Sequence, residues 1–251
     1  VIKFFRHIRK SLLSENKFSK YLVYAIGEII LVVIGILIAL SINNWNEKRK
    51  TNSQLQSYLS SIAKNIQSDT LEINIIKALR ERHNLAAKDY VKYTYSDSMP
   101  IQLVPRIAPI LGEQSLNVNQ SGFDALKNSG YIANLQGSDL EDSIYDYYSY
   151  YEEIHESETS LNNFIENMEA GLYDGSYEDV VMAYKVFAST KSANEFSKND
   201  QTKALEQIYK NSKMLGIMQR VASEEYYFVY DSLKTKGQKV VSLINKELNN
   251  D

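Results

Sequence analysis

The run LVYAIGEIILVVIGILIALSI, from Leu22 to Ile42, constrains this chain more than any other feature. It carries a single charge, Glu28. At about 1.5 Å rise per residue, about 20 such residues in a helix span the roughly 30 Å hydrocarbon core of a bilayer. So long an apolar run is rare inside a soluble fold. Tyr21 and Tyr24 lie at one end and Trp45 at the other, where amphipathic rings prefer the headgroup level. These observations predict a tail at 1–21, a transmembrane helix at 22–42 and a domain at 43–251.

Flanking charge predicts the orientation. Lys3, Arg6, Arg9, Lys10, Lys17 and Lys20 precede the run, against Glu15, while Lys48, Arg49 and Lys50 follow it, against Glu47. The excess on the N-terminal side puts that side in the cytoplasm, with the main domain across the membrane. A cleaved signal peptide is the rival reading, because Ala39 and Ser41 have small-x-small spacing. The apolar stretch exceeds the roughly 7–15 residues usual for such peptides, so an uncleaved anchor is preferred. Val1, Phe5, Ile8 and Leu12 recur at helical spacing among Lys3, Arg6 and Lys10, the pattern of a basic amphipathic helix on an anionic leaflet.

Inside the span, Gly27 allows close helix approach, and Gly35-x-x-x-Ala39 forms a small-xxx-small pair. Glu28 is costly at that depth, and such residues are functional hypotheses by default. It could snorkel to the cytoplasmic interface, hydrogen-bond a partner helix, or carry protons.

The string IKFFRHIRKSLLSENKFSKYLVYAIGEIILVVIGILIALSINNWNE resembles the N-terminal signature of a family of small single-pass membrane proteins from flavobacteria and their relatives (Bacteroidota). The resemblance is dense over residues 2–47. A fainter echo follows in FDALKNSGYIANLQGSDLEDSIYDYY, with its Leu-x-x-Ser-Gly turn and Tyr-Tyr helix. The resemblance implies a bacterial inner membrane and a periplasmic main domain. The family has no assigned activity, so it supplies no catalytic residue.

Of 28 Lys/Arg and 31 Asp/Glu, residues 1–50 hold nine and three, which leaves the remainder at a net charge of −9. An acidic domain has no electrostatic footprint for nucleic acid. With no cysteine, disulfides, thiolate catalysis and Cys-ligated zinc are excluded. The three prolines all lie at 100, 105 and 109, and glycine is sparse, so long helices are expected elsewhere.

The expected fold is all-α. The transmembrane helix continues into a long helix to about Tyr95, with Leu55, Leu59, Ile62, Ile66, Ile73 and Ile76 at spacings of 3–4. Asp69, Arg80 and His83 interrupt that seam. Residues 96–120 read as a loop. Ser121 is expected to cap a helix ending at Ser129-Gly130, and Ser138 with Glu141 to open the next as a capping box. Gly171 and Gly175 punctuate its end. Residues 180–188 (VVMAYKVFA) are assigned to helix. A second long helix is expected over about Phe196–Leu248, with Gly237 as its weak point. Antiparallel packing of the two long helices, with shorter helices at the distal end, is the economical arrangement.

Catalytic signals are sparse. Glu152-x-x-His155 is half of a di-iron motif, and no second copy exists. The run Glu152, Glu153, Glu156, Glu158 reads as a solvated helix face. Tyr145, Tyr147, Tyr148, Tyr150 and Tyr151 surround one helix, so some should be exposed or meet another chain. No phosphate loop, nucleophile elbow or zinc helix occurs. The expectation is a non-enzymatic, membrane-anchored periplasmic interaction or scaffold module, with no cofactor and no metal. Its partners would be the lipid bilayer and other membrane or periplasmic proteins, or a second copy, and not nucleic acid. The alternatives are an ion-coupled subunit using Glu28 and a ligand-sensing module.

Overall fold

The computed structural model describes residues 18–96, 99–172, 197, 199, 206, 209–223 and 227–249. The described residues contain helices and loops and no strand. The chain divides into two units, Val1–Ser57 and Tyr58–Asp251. Helix α1, Phe18–Tyr93, runs through 76 residues without a break. No proline lies within those bounds, so no i→i−4 bond is lost to one.

In the first unit, α1 carries the apolar stretch, long and apolar enough by length and composition to cross a membrane. Its large side chains are uncovered by protein, from Val33 at 46% to Val23 at 70% exposed. The amphipathic pattern at residues 1–13 lies outside the described residues.

In the second unit, α1 buries one stripe: Leu59, Ile62, Ile66, Ile73, Ala87 and Tyr90. Spacing of 3 and 4 keeps these on one face. The expected loop at 96–120 is more ordered than a loop. Three helical turns, Ile101–Leu103, Val104–Ile107 and Ala108–Leu111, bury Leu103, Val104, Ile107 and Ile110. Pro105 and Pro109 stand in the first positions of two of them, where a missing N–H costs nothing. Residues 113–120 then run without helix.

Helix α2 is Ser121–Ser129, and Gly130 ends it at φ 75°, the left-handed conformation that glycine adopts without strain. Ser121 does not cap it. Its N–H instead donates to Asn119 Oδ1 at 3.1 Å, and its Oγ accepts from Asn65 Nδ2 at 3.3 Å. Helix α3, Asp139–Glu169, opens as expected: Ser138 Oγ accepts the Glu141 N–H at 3.1 Å. The Glu141 carboxylate reaches back to the Gly137 N–H at 2.7 Å. The helix stops before Gly171. Gly175 and residues 180–188 lie outside the described residues.

The single helix expected over 196–248 is corrected: among the described residues it is interrupted, with α4 at Ser212–Ser223 and α5 at Phe228–Asn249 as separate helices. Asn211 explains the first break. Its Oδ1 accepts from the N–H groups of Lys213 and Met214, at 2.9 and 3.2 Å, and so starts a new helix.

Helix directions follow from contacts. Along α5, Asp231 meets Lys77 at 2.6 Å, Lys234 meets Asn74 at 3.2 Å, and Gly237 abuts Ile66. The α1 partners therefore run backwards, which makes α5 antiparallel to α1. Against α3, Tyr230 meets Glu158, Lys236 meets Asp146, and Gly237 abuts Tyr147. Helix α5 is thus antiparallel to both. At one end of the unit, Ala86, Ala87 and Tyr90 pack with the turns at 101–111, Leu161, Ile165, and Met214, Ile217 and Met218 of α4.

Candidate functional site

Buried charge singles out the site. Asp69 and Glu158 are each 5% exposed. Asp69 and Arg80 lie eleven residues apart on α1, about three helical turns, and so share a face. Tyr151, Glu158 and Asn162 share a face of α3 by the same geometry. Between these two faces runs the non-helical segment 113–120.

The helices hold that segment by its backbone. Asn162 and Gln114 exchange two bonds: Gln114 N–H to Asn162 Oδ1 at 3.4 Å, and Asn162 Nδ2 to the Gln114 carbonyl at 3.0 Å. Arg80 Nη2 donates to the same carbonyl at 2.8 Å. The Leu116 N–H donates to Glu158 Oε2 at 2.8 Å, and Tyr151 Oη donates to the Leu116 carbonyl at 3.3 Å. The N–H groups of Asn117 and Asn119 donate to Glu72 and Asp69, at 3.1 and 3.0 Å. Leu116 and Val118 turn their side chains into the core. A backbone in neither helix nor sheet would leave orphan polar groups, each costing about 1–3 kcal/mol when buried. Side chains on two helices supply the partners a strand would have given.

Glu158 joins two layers. Besides Leu116, it accepts Tyr230 Oη at 2.5 Å, and Arg80 Nη2 lies 3.7 Å from its Oε1. Its expected place on a solvated face is therefore corrected. Glu152, Glu153 and Glu156 are exposed, but the position two residues beyond Glu156 turns inward. Burial raises the Asp69 carboxyl above its ordinary pKa, opposed by the Asn119 N–H. Burial also raises the Tyr230 hydroxyl, which stays protonated and able to donate.

Beside this cluster lies a cavity of about 240 Å³. Arg80, His83 and Glu158 form its polar part, and Ile154, Leu161 and Val221 part of its apolar wall. His83 is buried, and its pKa is lowered to about 4 by burial and by the charges of Arg80 and Arg82.

The tyrosines divide. Tyr147, Tyr148 and Tyr151 are buried, so of the five it is Tyr145 and Tyr150 that are left toward the surface. Tyr148 stacks on Phe123 at 4.3 Å between ring centroids, and Tyr147 meets Tyr148 edge-on at 5.0 Å. Tyr145 is 40% exposed, and Tyr150 carries the Lys236 ammonium over its ring at 5.0 Å. Buried Tyr147 Oη, Tyr148 Oη, Ser143 Oγ and His155 Nδ1 have no hydrogen-bond partner among the described residues.

In the first unit, a Cβ at Gly27 or Gly35 would meet nothing within 4 Å, and Ala39 is exposed. Glu28 is half-buried. Tyr24 is 50% and Trp45 63% exposed, with Arg49 over the Trp45 ring at 5.7 Å. Tyr21 lies on α1. Among the described residues, no three His, Asp or Glu cluster as metal ligands.

Sequence reasoning missed the held segment and the cavity. The available signal was the set of polar residues interrupting an apolar seam, since Asp69 and Arg80 hold the segment and His83 lines the cavity. No curated protein and no solved structure matches the chain. One protein family matches over residues 28–199, from within the apolar stretch, through the held segment and α3, to a point before α4. That match takes in more than half of the chain, including every residue named above as holding segment 113–120, and the chain belongs to the Family of unknown function (DUF6090).

Proposed function

We propose that this chain is a membrane-anchored helical interaction module, without catalytic chemistry of its own, that serves as a scaffold or accessory subunit of an envelope complex. In this reading residues 22–42 cross a bacterial inner membrane, the N-terminus is cytoplasmic, and the domain from residue 43 onward is periplasmic. The contrast in burial carries the reading. The second unit covers its own apolar stripe, whereas Leu22–Ile42 offers apolar side chains that no protein group covers. A bilayer satisfies such a surface, and water does not.

The interaction half of the reading rests on α1 within the second unit. Leu71, Ile75 and Leu85 are 68%, 54% and 59% exposed. Their spacing of 4 and 10 residues keeps them within one stripe about 80° wide. Exposed apolar stripes of this kind mark contact surfaces. The buried acids Asp69 and Glu158 meanwhile hold segment 113–120 and are engaged within the fold.

The test has two arms. A periplasm-dependent reporter fused after Asp251 should be active in cells, and the protein should run as a complex in mild detergent. Leu71→Glu combined with Ile75→Glu should dissolve that complex without lowering the melting temperature. A reporter active only in the cytoplasm overturns the anchor orientation. A particle of monomer size before substitution overturns the interaction role.

A further inference from the structure

The cavity in the second unit has its own chemistry, independent of membrane anchoring. Its deeper wall is apolar: Ile154, Leu161 and Ile165 from α3 and Val221 from α4. The aromatic side chains of Tyr150, Tyr227, Phe228 and Tyr230 line it as well, and Phe228 is 59% exposed. Glu153 and Ser157, both exposed on α3, mark the side open to solvent.

Charge decides what such a cavity accepts. Among the described residues Arg80 is the one cationic side chain lining it, and Glu158 offsets it at 3.7 Å while also accepting Tyr230. That pair contributes no net charge. His83 is neutral near pH 7, because burial and Arg80 and Arg82 hold its pKa at about 4. Glu153 forms no ion pair with a cation among the described residues, so it sets the sign of the entrance. Just outside, Lys236 is matched by Asp146 at 2.6 and 2.8 Å. That same ammonium already lies over the Tyr150 ring at 5.0 Å, which shows a ring in the lining accepting a cation.

We propose that this cavity binds a small organic cation with an apolar body, the body against Ile154, Leu161 and Val221 and the ammonium at the rim between Glu153 and the aromatic rings. A carboxylate of the same shape would face Glu153 and find Arg80 already paired. A neutral analogue would gain the wall but not the rim.

The experiment uses the full chain in nanodiscs of zwitterionic lipid, so that cations do not collect on an anionic bilayer. Benzyltrimethylammonium, benzyl alcohol and benzoate serve as probes, with affinity read by calorimetry and saturation-transfer NMR. The cation is expected to bind tightest and benzoate weakest. Glu153→Gln should weaken the cation by about three- to fivefold, as expected for an exposed ion pair, and leave benzyl alcohol unchanged. Ser157→Trp should block all three. Both positions are exposed, so unchanged circular-dichroism melts should accompany the losses. Benzoate binding as tightly as the cation, no probe binding to the unaltered chain, or unchanged affinity in both variants would each overturn the proposal. The ranking on the unaltered chain decides the charge preference even without the variants.

Discussion

Asp69 shows how one residue can be both costly and useful. Its burial raises the carboxyl pKa above 3.8, yet its Oδ2 takes the Asn119 N–H at 3.0 Å. Its electrostatic contribution is therefore fully present below pH 3.8 and lost as pH rises through the folded pKa. At neutral pH the charge is a burden and the hydrogen bond a gain. Asp69→Asn keeps an acceptor and drops the charge, so chemical denaturation at pH 7 should show stability unchanged or raised by up to about 1 kcal/mol. Asp69→Leu strands the Asn119 N–H and should cost about 1–3 kcal/mol. Equal losses for both would refute the assignment. His83 has the opposite sign. Its folded pKa falls from 6.5 to about 4, so its contribution is present above pH 6.5 and lost as pH falls toward 4. Melting temperature should drop over that window, and His83→Gln should flatten the drop whatever its effect at pH 7. A slope unaltered by the substitution would rule His83 out as the titrating group. Both residues were visible in the sequence only as interruptions of an apolar seam. The periodic pattern says where a polar residue breaks a stripe, but not that a distant segment needs a partner there.

Among the elements, the glycines of α2 and α5 separate local rules from packing. Gly237 reads in sequence as a soft point in a helix, because glycine costs about 1 kcal/mol against alanine there. In the fold it is a crossing point. A Cβ at Gly237 would lie 2.8 Å from Ile66 Cγ2 and 3.0 Å from Tyr147 Cε2. At Gly122 a Cβ would lie 2.9 Å from the Ile62 backbone nitrogen and 3.1 Å from the Ser61 carbonyl carbon. Side chains can shift a little and helix backbone much less. Gly237→Ala should therefore destabilise by about 1 kcal/mol, the net of overpacking and improved helix propensity, and Gly122→Ala by about 2–3 kcal/mol. Urea melts of the two variants would measure this, and a gain in stability at either position would contradict the close contact. The capping signals at Ser138-Glu141 and Ser129-Gly130 were readable because they depend on four or five neighbouring residues. Asn211 was equally local, but it lay inside a run whose apolar spacing continued past it.

At the scale of the molecule, apolar periodicity was enough for an all-α architecture with the first and last helices antiparallel. The register was not legible, because it depends on particular contacts such as Lys77 with Asp231 and Gly237 with Ile66. The absence of cysteine makes that register easy to check. Cysteines at Asn74 and Lys234, whose side chains meet at 3.2 Å, should be joined within one chain by a short thiol crosslinker. Asn74 paired with Lys246, about 18 Å further along α5, should not be joined. Comparable yields from the two pairs would mean that the helices slide or pack differently.

The way segment 113–120 is held also bears on how its sequence can change over generations. The helices touch mainly its peptide groups, and those are the same for nearly every amino acid. Outward side chains such as those of Glu113 and Asn117 are therefore free to drift, while Leu116 and Val118 must stay apolar. Proline is the exception at Gln114, Leu116, Asn117 and Asn119, because each donates its N–H to the helices. The holders have no such latitude. Descendants of this chain should vary most at the outward positions of the held segment and least in Asp69, Glu72, Glu158 and Asn162, so that most of the constancy that fixes the segment lies in the helices around it.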